Sequence, residues 1–169
     1  MHTTLKTRTA GSGPSLVLLH GWGVNSGVWQ PIAAQLEQHF SVTYVDLPGF
    51  GENFQALPEP YNLANLAASV ANVLPENSVL AGWSLGGLVA QQIALHEPTK
   101  VQRLVLIATS PKFQKSHDWP GIEPTILQAF SQQLVKNLSK TIERFLAIQA
   151  MVSDSAKADI KKIKSSIEA

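Results

Sequence analysis

Ser84 lies at the centre of residues 82–86, whose sequence is Gly-Trp-Ser-Leu-Gly. The apolar residues 79–81 predict a buried strand before it, and the periodicity of residues 87–95 predicts a helix after it. A serine between two glycines at a strand-to-helix corner is typical of a nucleophile elbow. Side chains at positions 82 and 86 would make the strand and the helix collide, so both positions require glycine. We therefore predict that Ser84 is a nucleophile; the alternative is a glycine-rich turn that happens to contain serine.

A serine nucleophile needs N–H donors for the oxyanion that forms on its substrate. The backbone N–H of Leu85, directly after the serine, is one predicted donor. We expect the other to be the N–H of Trp22, in the loop 20–23 of sequence His-Gly-Trp-Gly. The glycines of this loop let it approach the site closely. An ordinary turn at the end of a strand is the alternative interpretation of the loop.

The sequence contains five histidines, none of which stands where a base for Ser84 is expected. In the architecture that the elbow implies, an acid and then a histidine follow the serine, after later strands. We expect His20 to make a structural hydrogen bond, and His39 and His96 to lie at the surface. His117 is not expected to be a base. We therefore expect the chain to be the N-terminal portion of a longer enzyme, with the nucleophile but without either of its triad partners.

Strands and helices are predicted to alternate along the first part of the chain. The segments with strand character are residues 16–19, 41–45, 79–81 and 101–108. The segments with helical periodicity are residues 28–38, 63–73 and 87–95. Alternation of this kind predicts an α/β protein, with helices on both faces of a parallel sheet. Sites in such sheets form at the carboxyl ends of the strands, where the loops at His20, Asp46, Ser84 and Ser110 are expected.

The pattern changes near Ser110 and Pro111. Residues 1–110 carry four Lys or Arg against six acidic residues, whereas residues 111–169 carry nine against six. The second segment has helical periodicity at 124–138, 141–151 and 153–167, with no strand between. We therefore predict a core at residues 1–110 and the start of a helical cap, or lid, at residues 111–169.

The composition argues against several classes of protein. A chain of 169 residues with 44% hydrophobic residues can bury one core, and a net charge of +1 does not favour nucleic acid. The chain has no cysteine, which excludes disulfides and thiolate metal sites. Its apolar runs are too short to span a membrane, and its N-terminus has no apolar signal segment. We expect a cytoplasmic protein with no metal, no cofactor and no nucleic-acid or membrane partner.

Three motifs together carry a family resemblance. They are LLHGWG at residues 18–23, VDLPGFG at 45–51 and GWSLGGLVA at 82–90. These motifs resemble the α/β-hydrolase superfamily. With residues 110–111, 118–122 and 143–149, the chain is similar over essentially its whole length to the family of pimeloyl-[acyl-carrier protein] methyl ester esterases. The resemblance implies an α/β-hydrolase core in residues 1–110, with the C-terminal part of the fold missing from the chain.

The resemblance implies a serine carboxylesterase of biotin synthesis. Ser84 would attack the methyl ester of a pimeloyl chain carried on acyl carrier protein and release methanol. The implied substrate-binding residues are Trp22, Ser84, Leu85, Phe145, Leu146, Ala147, Ile148 and Gln149. The aspartate and histidine of the family would fall beyond Ala169, so we expect the chain alone to be inactive. The alternatives are another α/β-hydrolase, such as a carbon–carbon bond hydrolase or a lyase, and a non-catalytic fragment.

Two sets of basic residues in the predicted cap have helical spacing. The first set is Lys136, Lys140 and Arg144, and the second is Lys157, Lys161 and Lys164. This spacing is expected to place each set on one face of a helix. Acyl carrier proteins are acidic, and the resemblance assigns the carrier contact to Lys140, Arg144, Lys157 and Lys161. A solvated lysine face is the alternative.

The strand predicted at residues 101–108 has no later strand in the chain to pair with. Its outer edge is therefore expected to be exposed and apolar. Exposed edges of this kind pair with other chains. We expect the chain to self-associate through this edge of the sheet.

Overall fold

The computed structural model describes residues 4–151 and 153–167. The chain divides into two compact units, Met1–Ser110 and Pro111–Ala169. In its described part, the first unit contains a five-stranded sheet of order β1-β3-β2-β4-β5. Its strands are β1 (Thr7–Ala10), β2 (Ser15–Leu19), β3 (Ser41–Val45), β4 (Ser78–Trp83) and β5 (Val101–Ile107). Strands β2 to β5 are parallel, so their carboxyl ends share one edge of the sheet.

Helices cover both faces of this sheet. They are α1 (Gln30–Glu37), α2 (Leu63–Ala71) and α3 (Leu85–His96). Successive residues of a strand point to opposite faces. On β2, Val17 and Leu19 belong to a buried cluster that includes Val70 of α2. Leu18 belongs to a second cluster, which includes Ala33 of α1. The predicted α/β fold, with a largely parallel sheet between helices, is confirmed.

Strand β1 is a departure from the prediction, because it pairs antiparallel with β3. Its first three residues are exposed, and no apolar run marks it as a strand. Side-chain contacts hold it in place. The Arg8 guanidinium lies 4.0 Å from the centre of the Tyr44 ring, and the Thr9 and Thr43 hydroxyls lie 3.0 Å apart. β1 is therefore a polar edge strand, which periodicity does not detect.

The helix predicted at 28–38 is divided in two. A 3₁₀ turn occupies Ser26–Trp29, and α1 begins after it with Pro31 as its second residue. The Asn25 side chain caps the turn by accepting a hydrogen bond from the Gly27 N–H at 3.0 Å. Proline suits the first turn of a helix because its missing N–H would have no partner there.

Within its described residues, the second unit contains three helices: α4 (Pro124–Lys136), α5 (Leu138–Gln149) and α6 (Ala156–Ile167). Phe130 of α4 packs against Phe145 of α5, with ring centres 5.8 Å apart. Lys164 of α6 donates a hydrogen bond to Glu143 of α5. The helical pattern predicted for this segment is confirmed. Across residues 4–151 and 153–167, the helices lack the length and apolar character needed to cross a bilayer.

Candidate active site

Ser84 occupies a sharp corner between β4 and α3. Its φ of 53° and ψ of −113° are values that residues other than glycine rarely adopt. The Ser84 N–H donates to the Ile107 carbonyl of β5 at 3.0 Å. The Ser84 carbonyl accepts from the N–H groups of Gly87 and Leu88 at 3.0 and 3.2 Å. The neighbouring strand and the following helix therefore both hold the corner.

Gly82 and Gly86 permit this corner because a Cβ fits at neither position. A Cβ on Gly82 would lie 2.6 Å from the Gly87 nitrogen, and one on Gly86 would lie 2.6 Å from the His20 carbonyl oxygen. Both distances are shorter than real Cβ contacts. The strand, the helix and the loop after β2 thus pass within backbone contact of one another. The steric requirement predicted for glycine at 82 and 86 is confirmed.

The first residue of α3 is Leu85, directly after the serine. The first N–H groups of a helix have no intrahelical acceptor and carry partial positive charge. The Leu85 N–H therefore lies beside Ser84 without an acceptor in its own helix. When the serine attacks a carbonyl carbon, a donor at this place can stabilise the negative charge that develops on the carbonyl oxygen.

His20 is fully buried, at 0% exposure, and both of its ring nitrogens have partners. Its Nε2 accepts from the Leu47 N–H at 2.9 Å, and its Nδ1 lies 2.7 Å from the Gly21 carbonyl oxygen. Because a carbonyl can only accept, the proton lies on Nδ1 and the ring is neutral. Burial lowers the pKa of His20 and favours this neutral form. The predicted structural role of His20 is confirmed.

His20 also orients the peptide group that follows it. The Gly21 carbonyl and the Trp22 N–H belong to one planar trans peptide. A hydrogen bond that fixes the carbonyl therefore directs the Trp22 N–H to the opposite side. The Trp83 ring packs against Gly21, where a Cβ would lie 3.0 Å from Cε3 of the ring. The loop that carries Trp22 is thus in contact with the residue before Ser84.

Asp46 links two loops at the carboxyl edge of the sheet, a role that the sequence does not predict. Its buried carboxylate accepts from the Ser26 N–H at 2.7 Å and from the Glu52 N–H at 2.9 Å. Its carbonyl accepts from the Asn53 side-chain amide at 2.7 Å. A Cβ on Gly51 would collide with the carboxylate. An acidic residue directly after a buried strand, with glycine five positions later, is the signal that could have indicated this link.

Among the described residues of the first unit, neither His39 nor His96 lies where it could supply a base to Ser84. His96 ends α3, and a helix rise of 1.5 Å per residue places it about 17 Å along the axis from Leu85. His39 precedes β3 and so lies at the opposite edge of the sheet from Ser84. His117 contacts the Asp118 carboxylate in the second unit, and His2 lies outside the described residues. In the described ranges, no three His, Asp or Glu side chains are grouped as metal ligands would be.

The first predicted basic stripe is wrong. Lys136 ends α4, whereas Lys140 and Arg144 lie on α5. Asn137 separates the two helices with φ −158° and ψ 91°, and its side chain accepts from the Lys140 N–H at 3.0 Å. This N-cap begins a new helix, because a capping residue has extended backbone angles. Lys140 and Arg144, one turn apart, still share a face of α5.

The second stripe lies on one helix, α6, but its members differ in their contacts. Lys164 is ion-paired with Glu143 of α5, and the hydrogen bond it donates holds the pKa of Glu143 below its usual range. Lys157 and Lys161 are exposed. All the predicted carrier-contact side chains are exposed: Lys140, Arg144, Lys157 and Lys161.

The predicted acyl-contact residues of α5 and its C-terminus also differ in exposure. Leu146 is 2% exposed, so its side chain packs inside the protein. Phe145 is half-buried and packs against Phe130. Ala147, Ile148 and Gln149 are exposed. Residues 147–149 thus have accessible side chains, whereas Leu146 has a packing role.

The part of the chain that contains the Ser84 corner matches the model of a known protein family. The model of the alpha/beta hydrolase fold matches residues 14–157 of the chain. The chain belongs to the α/β-hydrolase family. The family resemblance that the motifs predict is therefore confirmed.

Relatives of this α/β-hydrolase chain carry a common name. This chain is 83% identical over 169 residues to a pimeloyl-[acyl-carrier protein] methyl ester esterase of Pseudoalteromonas atlantica. The alignment covers 100% of this chain and 66% of the relative. The chain is 49% identical over 167 residues to the Vibrio parahaemolyticus protein of that name, covering 99% and 65%. A solved hydrolase from Pseudomonas aeruginosa is 27% identical with a TM-score of 0.71, covering 96% of this chain and 65% of the other. The chain thus spans 65–66% of the length of these two named relatives.

Proposed function

We propose that this chain carries the nucleophile of a serine carboxylesterase that hydrolyses the methyl ester of pimeloyl-[acyl-carrier protein] in biotin synthesis. The observation that carries the proposal is the conformation of Ser84, with φ 53° and ψ −113°, at the start of α3. Such a conformation costs about 1–3 kcal/mol, and residues held in this way cluster at active sites. The substrate comes from the names of the two relatives, at 83% and 49% identity.

In the proposed reaction, the Ser84 oxygen attacks the ester carbonyl carbon. Negative charge develops on the carbonyl oxygen, where the N–H groups of Leu85 and Trp22 stabilise it. Each such donor typically contributes about 10²- to 10³-fold to kcat. Methanol then leaves with the proton that the Ser84 hydroxyl has lost. Water hydrolyses the acyl-serine, which gives the free carboxylate and restores the Ser84 hydroxyl. The contact between Gly21 and the Trp83 ring supports this pairing of donors, because it ties the Trp22 loop to the elbow.

We place the catalytic base and its carboxylate partner outside these 169 residues. The two hydrogen bonds of the His20 ring and the distance of His96 from the start of α3 support this placement. Loss of triad members lowers kcat by about 10⁴- to 10⁶-fold. We therefore expect the chain alone to be inactive, and the complete enzyme to act in the cytoplasm.

The second unit is proposed to bind the substrate and its carrier. Phe145 and residues 147–149 would contact the acyl chain, and the exposed side chains of Lys140, Arg144, Lys157 and Lys161 would face the acidic carrier. Exposed ion pairs contribute only about 0.2–1 kcal/mol each. Their effect would therefore be on the orientation and rate of association more than on affinity.

The test joins this chain to the part of the Pseudoalteromonas atlantica relative that it does not span, giving an extended enzyme. We expect the extended enzyme to release methanol from pimeloyl methyl ester on acyl carrier protein. Ser84→Ala should lower this rate by about 10⁴-fold or more. Absence of ester turnover by the extended enzyme would refute the proposal. Turnover of a diketone substrate instead would assign a carbon–carbon bond hydrolase.

The carrier contact has a separate test in the same enzyme. Changing Lys140 and Arg144 to Glu should raise KM for the carrier-bound ester and leave turnover of a short methyl ester unchanged. Lys162→Glu is the matched control, since Lys162 is an exposed lysine of α6 outside the proposed contact. An equal effect of the control would contradict the assignment.

We also propose that the chain self-associates through β5. Leu104, Val105, Leu106 and Ile107 are between 37% and 44% exposed. β5 is the last strand in the sheet order, so its outer edge has no neighbouring strand among the residues that the structure describes. Apolar edge strands of this kind pair with other chains.

A further inference from the structure

Thr109 follows β5 and contacts the elbow directly. Its hydroxyl donates a hydrogen bond to the Ser84 carbonyl oxygen at 2.7 Å. Its side chain also lies over Gly87 in the first turn of α3, where a Cβ would be 2.6 Å from the Thr109 Cβ. One side chain from the end of β5 therefore touches both the serine and the helix that the serine begins.

The turn that places Thr109 is itself unusual. Ala108 has a φ of 43°, in the left-handed region that residues other than glycine rarely adopt. Trp83 and Ile107 are partners in the register of β4 and β5. Ser84 therefore directly follows one member of this pair and Ala108 directly follows the other, and both residues have a positive φ. The strands β4 and β5 thus end together in two linked strained turns.

The end of β5 holds Ser84 through both of its backbone polar groups. The Ile107 carbonyl accepts from the Ser84 N–H at 3.0 Å, and the Thr109 hydroxyl donates to the Ser84 carbonyl at 2.7 Å. Relaxation of Ser84 to ordinary angles would rotate both groups away from these partners. Strained conformations persist only where the surroundings over-determine them.

We infer that Thr109 is a positioning residue that keeps Ser84 in its left-handed conformation and so keeps the hydroxyl directed at the reacting carbon. The catalytic consequence rests on the proposed function. The effect on the Ser84 backbone does not, and it is measurable in the 169-residue chain itself.

Three variants test the inference. Thr109→Val keeps the shape of the side chain and removes its hydroxyl, whereas Thr109→Ser keeps the hydroxyl. Thr99→Val is the matched control, since it makes the same chemical change at an exposed threonine just before β5. By amide hydrogen exchange, Thr109→Val should lower protection of the Ser84 N–H by roughly tenfold relative to the mid-strand Leu80 N–H. Thr109→Ser and Thr99→Val should leave this protection close to that of the unmodified chain.

The extended enzyme provides the second readout. A displacement of the nucleophile by about 1 Å can cost about 100-fold in rate. Thr109→Val should therefore lower kcat by about tenfold or more with KM little changed, and Thr109→Ser should restore kcat. A Thr109→Val variant that matches Thr99→Val in Ser84 protection and in kcat would overturn the inference. If the extended enzyme with Thr109 turns over no ester, the proposed function fails, and the exchange measurement alone then decides the role of Thr109.

Discussion

Replacement of Asp46 by asparagine tests the link between the loops after β2 and β3. Asp46 is 7% exposed, and its carboxylate accepts hydrogen bonds from the N–H groups of Ser26 and Glu52. Asparagine has one oxygen, so it can accept one of these hydrogen bonds, and its amide NH₂ then faces the other donor. A hydrogen bond to a charged group contributes about 1.5–3 kcal/mol, and a buried donor without a partner costs about 1–3 kcal/mol.

These two losses predict that Asp46→Asn lowers the free energy of unfolding by about 2.5–6 kcal/mol. For a chain of this size, 1 kcal/mol corresponds to a shift in Tm of about 2–4 °C. We therefore expect Tm to fall by roughly 5–24 °C. The loss follows from the partners of the carboxylate and not from side-chain volume, which asparagine preserves.

The assay is urea unfolding followed by tryptophan fluorescence, since Trp22, Trp29 and Trp83 all lie in the first unit. Asp46→Asn should lower the midpoint without changing the m-value. Asp118→Asn is the matched control, because its side chain is 89% exposed and its effect should stay within about 0.5 kcal/mol. If Asp46→Asn is as mild as this control, water replaces the carboxylate and the reasoning is wrong.

Three further predictions concern the elbow, the buried histidine and the sheet edge. Gly86→Ala should lower kcat of the extended enzyme by about 100-fold, because a Cβ would collide with the carbonyls of Leu19 and His20 and displace α3 by about 1 Å. An unchanged kcat would contradict this prediction. Because burial lowers the pKa of His20, the unfolded chain binds the extra proton below pH of about 6.5 and the folded chain does not. The free energy of unfolding should therefore keep its full value above that pH and fall below it, by up to about 1.4 kcal/mol per pH unit. Tm measurements from pH 5 to 7 test this, and an equal dependence of Tm on pH in His20→Gln would rule out His20 as the cause. Leu106→Lys should reduce self-association in sedimentation velocity, whereas the control Leu95→Lys, at a 75% exposed position on α3, should not. A monomeric unmodified chain would refute the proposal.

The motif around Ser84 predicted the corner correctly because its cause is local. Gly82 and Gly86 lie four residues apart, and a Cβ on Gly82 would strike the backbone at the start of α3. The apolar runs predicted the buried strands β2, β3 and β4 for a related reason. A strand buried on both faces needs apolar residues throughout, so its pattern appears in the sequence.

Features that depend on neighbouring strands or on a single side-chain contact were not predicted in this way. The polar residues of β1 are exposed, and β3 holds that strand through Arg8 and Tyr44. The helix break at Asn137 depends on one side-chain cap, which the spacing of the lysines does not reveal. The link made by Asp46 needs the loops after β2 and β3 side by side.

The sequence by itself determined the α/β fold and the elbow at Ser84, because steric exclusion and apolar periodicity act between residues close along the chain. The family came from the resemblance of its three motifs. Only the tertiary structure decided which groups hold the elbow. Thr109 and Ser84 are 25 residues apart in the chain and meet because β5 packs beside β4. Hydrogen bonds between such distant residues exist only after the sheet has formed, so no local pattern records them.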